Sequence, residues 1–67
     1  MTDQAGNEVV VTLRLGEDTA WALAQFVKRV GWSEFRALAV DDAEAGRIRA
    51  AVDALQRALG EVGVAPR

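Results

Sequence analysis

Residues Glu8 to Leu15 read EVVVTLRL, and no other stretch of the chain repeats their pattern. Val9, Val11, Leu13 and Leu15 alternate with Glu8, Val10, Thr12 and Arg14, a period of two with the β-branched enrichment of a half-buried strand. The nearest second candidate, EVGVAP from Glu61 to Pro66, is short and interrupted by glycine. A lone strand leaves a row of backbone N–H and C=O groups that must be paired or covered. The pattern therefore predicts an α+β, mostly helical fold with one N-terminal strand at about 8–15. The strand is expected to pair antiparallel with its own copy across a two-fold homodimer, because a two-fold interface is self-complementary. A return of the C-terminal tail onto the strand is the other solution.

Helical periodicity follows. Residues 1–7 are polar and aperiodic, which predicts a disordered arm ahead of a single domain over 8–67. Glu17 and Asp18 supply an acidic first turn, and Thr19, Leu23, Phe26, Val27 and Val30 form a stripe ended by Gly31, predicting a helix over about 17–30. Ser33 is the expected N-cap of a short helix over about 33–39, with Phe35 and Leu38 inward. Asp41 with Glu44 three residues on has the spacing of a capping box and opens the last helix, about 41–62. There Ala45, Ile48, Val52, Leu55, Leu59 and Val62 recur at alternating steps of three and four, a heptad-like seam. Alanines flank the seam and let another helix approach closely. Gly63 and Pro66 end the run.

At 67 residues, such a domain buries about 60% of its unfolded surface and is marginal alone. With no cysteine, disulfides and thiolate metal sites are excluded. Over half of the residues are hydrophobic, at 51%, which leaves apolar surface available for a partner. No run reaches the ~18 to 20 apolar residues of a membrane span, and no signal-peptide pattern opens the chain. A cytoplasmic protein that engages no membrane is the expectation. Ten acidic and eight basic residues give a net charge of −2, against the balance usual in nucleic-acid modules.

Catalytic chemistry is poorly supplied. The chain has no His, Cys or Tyr, leaving Ser33, a few threonine hydroxyls and carboxylates. Asp41, Asp42 and Glu44 lack calcium-loop spacing and read as a helix start. No enzyme activity, cofactor or metal is therefore expected. Lys28, Arg29, Trp32 and Arg36 cluster around the GW dipeptide as a candidate cationic and aromatic contact patch. Val10, Thr12 and Arg14 are candidate contacts on the strand's other face.

Strand, helix and helix, with VTLRL before the first helix and RVGWS before the second, resemble the ribbon-helix-helix family of small dimeric repressors over about Val9 to Val40. That resemblance implies a DNA-binding regulator in which Val10, Thr12 and Arg14 enter the major groove and the helix start near Ser33 holds a phosphate. The stretch ALAQFVKRVGWSEFRALAVDDAEA with the ending VAPR resembles, over nearly the whole chain, a family of small uncharacterised proteobacterial proteins often encoded among phage or mobile-element genes. This second resemblance implies a non-enzymatic interaction protein that binds a host protein or nucleoprotein, including inhibition of host defence. Its protein partner is unknown.

Overall fold

The structure is a computed structural model that describes residues 8–66. It is all-helical among those residues: α1 spans Glu17–Arg29, α2 Trp32–Leu38 and α3 Asp42–Glu61. The arm expected over residues 1–7 lies outside the described residues.

The N-terminal strand and the α+β class are overturned. Residues 8–16 carry neither helix nor strand, and no turn or bend interrupts them. Alternation and β-propensity describe side chains that suit a pleated surface, but a ladder also needs a second row of backbone groups. No segment among residues 8–66 offers one to Val9, Val11, Leu13 or Leu15. The C-terminal tail does not return to them either: the Val64 N–H donates instead to the Leu59 carbonyl at 2.9 Å.

Local chemistry accounts for the helix ends. α1 begins after Gly16, with Glu17 and Asp18 in its first turn and Lys28 and Arg29 in its last, each charge at the favourable end of the helix dipole. It stops at Val30 rather than at a left-handed glycine, and Gly31 takes the extended conformation that starts α2 (φ −137°). Gly31, not Ser33, is the N-cap. Its N–H donates to Glu34 Oε1 at 2.6 Å, while its carbonyl accepts from the Glu34 and Phe35 N–H groups. Ser33 sits within the first turn, its hydroxyl bonded to Glu34 Oε2 at 3.2 Å.

At α3 the Asp41 carboxylate accepts from the Glu44 N–H at 2.8 Å, and Glu44 Oε1 accepts from the Val40 N–H at 2.8 Å. This is a capping box whose return arm reaches one residue further back. The α3 C-terminus is a Schellman turn. Gly63 is left-handed at φ +89°, its N–H donates to the Gly60 carbonyl, and the Val64 N–H reaches Leu59.

α3 is the hub, packed against both α1 and α2. Ala24, Val27 and Leu59 form the buried cluster, with Leu23, Val52, Leu55 and Val64 packed around it. Among the described residues Phe35 and Ala45 are the other buried ones, and Ala45 is fully covered at 0% exposure, so a larger side chain has no room there. Along the predicted seam Ala45 and Leu59 are buried, Ile48, Val52 and Leu55 are half-buried, and Val62 turns out to solvent at the C-cap. Burial of the seam against two shorter helices, rather than propensity, holds these elements in place. α1 is rotated relative to the expected stripe: Ala24 faces inward, while Thr19 is exposed and Phe26 is 60% exposed. Leu38 is likewise exposed.

Candidate interaction surface

Straight chain ahead of Gly16 puts its side chains into solvent. Val9 is 84% exposed, Val10 89%, Val11 72% and Leu13 55%, and exposure falls to 39% at Leu15. The residues expected as one inward face and those expected as the other are thus exposed alike. Among the described residues, none of the backbone groups from Val9 to Leu15 enters a hydrogen bond. Four neighbouring apolar side chains, each more than half exposed, make a surface that soluble chains rarely display without a use for it. Thr12 and Arg14 lie within it, both exposed, and Glu8 stands at its start.

The cationic and aromatic patch is divided by the fold. Lys28 and Trp32 line a shallow, open groove of about 280 Å³ where α1, α2 and α3 meet, floored by Val27, Phe35 and Val52 and edged by Arg49. Arg49 belongs to the face of α3 that the interleaving of Arg47, Arg49 and Arg57 with acids marks as solvated, and it reaches this groove because α3 crosses beneath the α1–α2 junction. Asp53 lies in the same wall and offsets part of that charge. Arg29 turns away, with its guanidinium 3.3 Å from Gln25 Oε1 and its stem beside Ala22, Phe26, Val30 and Glu34 in a second open groove. Arg36 forms an ion pair with Asp42 at the start of α3, which joins α2 to α3 across the Ala39–Asp41 link. The exposed pair is worth at most about 1 kcal/mol. Trp21 is half-buried and so belongs to packing more than to a contact surface.

Glu34 has a perturbed acidity. The Gly31 N–H, and then the Ser33 hydroxyl, donate to its carboxylate and hold it below the usual carboxylate range. Both bonds belong to the α2 cap, so the shift reports helix capping. Among the described residues no group of His, Cys, Asp and Glu side chains is arranged to hold a metal ion. No helix there is long and apolar enough to cross a membrane.

No curated protein and no solved structure matches the chain. A family model does, over residues 1–67, and its description carries neither a ribbon-helix-helix assignment nor a mobile-element origin. By that match the chain belongs to the family of unknown function DUF7706.

Proposed function

We propose that this chain is a small interaction protein without enzymatic activity, and that it meets its protein partners through residues 9–15. One observation carries the reading: Val9, Val10, Val11 and Leu13 stand in solvent on a segment that the helical body neither covers nor hydrogen-bonds. Exposing so much apolar surface is costly, and a partner that covers it recovers that cost. Homodimerisation fits the same surface, because a 67-residue chain with so few buried side chains gains stability from mass action. The mobile-element context implied by the sequence resemblance would make the further partner a host protein or nucleoprotein. The net charge of −2 favours a protein over bare nucleic acid.

The test is site-specific photo-crosslinking in lysate, with and without nuclease. A photoreactive residue in place of Val10 should capture a discrete protein partner in both conditions, and one in place of Arg47, exposed on α3, should not. Equal capture from both positions, or none from position 10, would remove the segment as the contact surface.

A further inference from the structure

The apolar segment carries one acid and one base, placed toward its two ends: Glu8 before the valines and Arg14 after Thr12. We infer that residues 8–16 dock on the same residues of a second copy, the two segments side by side and antiparallel about a two-fold axis at Val11, with Glu8 of each copy opposite Arg14 of the other. This rests on the proposed use of residues 9–15 as a contact surface and names the occupant and its register.

Three observations lead to it. First, the segment is straight and accessible: no turn or bend interrupts residues 8–16, and no intrachain backbone hydrogen bond obstructs Val9 to Leu15 among the described residues. Second, the charges are self-complementary. In an antiparallel two-fold arrangement, opposed residues have numbers with a constant sum, and the axis at Val11 places Glu8 against Arg14, Val9 against Leu13, and Val11 against itself. Moving the axis to Thr12 places Val10 against Arg14 and leaves Glu8 facing Gly16, which strands both charges. A partner of uniform charge would meet either Glu8 or Arg14 with a like sign, whereas a second copy meets both with the opposite one. Third, apolar surface is on offer: Val9, Val10, Val11 and Leu13 are each more than half exposed, so a second copy covers side chains that the helices leave in water.

Exposed ion pairs of this kind fix orientation and register more than they add affinity. The apolar side chains hold the copies together, and Glu8 with Arg14 selects which residues oppose.

Sedimentation equilibrium over a range of micromolar concentrations tests this on the full chain and on Glu8→Arg, Arg14→Glu and the double variant. The parent should sediment at twice the 7.2 kDa chain mass. Each single variant makes two like-charge contacts and should weaken the dimer by roughly ten-fold or more. The double variant, with both pairs restored in reverse, should return to near the parent's affinity. Circular dichroism on each variant guards against misfolding, and none is expected because both residues are exposed. A parent that is monomeric throughout would overturn the inference, as would a dimer indifferent to the single changes or a double variant weaker than either. Monomeric mass together with a retained crosslink from position 10 to another protein would sink the self-pairing alone. Loss of both would sink the wider reading too.

Discussion

The α3 seam and the segment before α1 are built from similar side chains and end in opposite situations. Leu59 is buried, and Ile48, Val52 and Leu55 are half-buried, because α1 and α2 lie across them. Val9, Val10, Val11 and Leu13 are also aliphatic and more than half exposed. Hydrophobicity sets how strongly a segment is driven out of water, but burial also needs a second surface within reach of the chain. A helical seam finds that surface locally, through links of a few residues at 30–31 and 39–41. A lone straight segment has to find it in another molecule.

The largest test of this contrast is a pair of substitutions. Leu59→Ala in the buried cluster should cost about 2 to 5 kcal/mol in urea unfolding, through lost burial and the cavity left behind. Val10→Ser, measured at a concentration low enough to keep the chain monomeric, should change stability by about 0.5 kcal/mol or less. A comparable loss from both would mean that the segment packs on the helices after all. Next in size is Gly63→Ala, which forces a side chain into a left-handed turn and should cost about 1 to 2 kcal/mol. Its thermal midpoint should fall while α1 and α2 retain their helicity just below the transition.

The smallest effect is pH-dependent. Glu34 titrates below its ordinary range because the charged carboxylate accepts the Gly31 N–H and the Ser33 hydroxyl. A carboxyl whose folded pKa is depressed contributes stability above its unfolded value of 4.5, and that contribution fades as the pH falls through the lower folded value. Acid titration followed by amide exchange at α2 should therefore show the cap loosening below about pH 4.5. Glu34→Gln, which keeps an acceptor without the charge, should flatten this dependence. An α2 exchange profile unchanged by that substitution would remove Glu34 as its cause.

What could be read in advance was local. The positions of all three helices followed from the 3.6-residue period and from signals such as Asp41 with Glu44, because capping is decided by residues three or four apart. The rotation of α1 was not readable in this way. A scan for large apolar residues put Phe26 inward, while the inner face is made by Ala24 beside Leu23 and Val27; small residues lie where helices approach most closely and carry little hydrophobic signal. Ser33 was an attractive cap by residue type, yet the chain turns at Gly31, two residues earlier, where no side chain is required. The strand failed for a reason outside the segment itself, since pairing belongs to two segments and the pattern describes one. At the contact patch, sequence proximity gathered Lys28, Arg29, Trp32 and Arg36. The helix twist then sent Arg29 and Arg36 elsewhere and brought in Arg49 from α3.

The Schellman turn also works as a length gauge for α3. Gly63 stops the helix, and the same turn sends Val64 back onto the buried cluster, so the point of termination and the direction of the tail are a single choice. One residue inserted between Leu59 and Gly63 would advance the turn by about 100° and about 1.5 Å along the helix axis. Val64 would then miss its seat, and Leu59 would lose the neighbour that covers it from the C-terminal side.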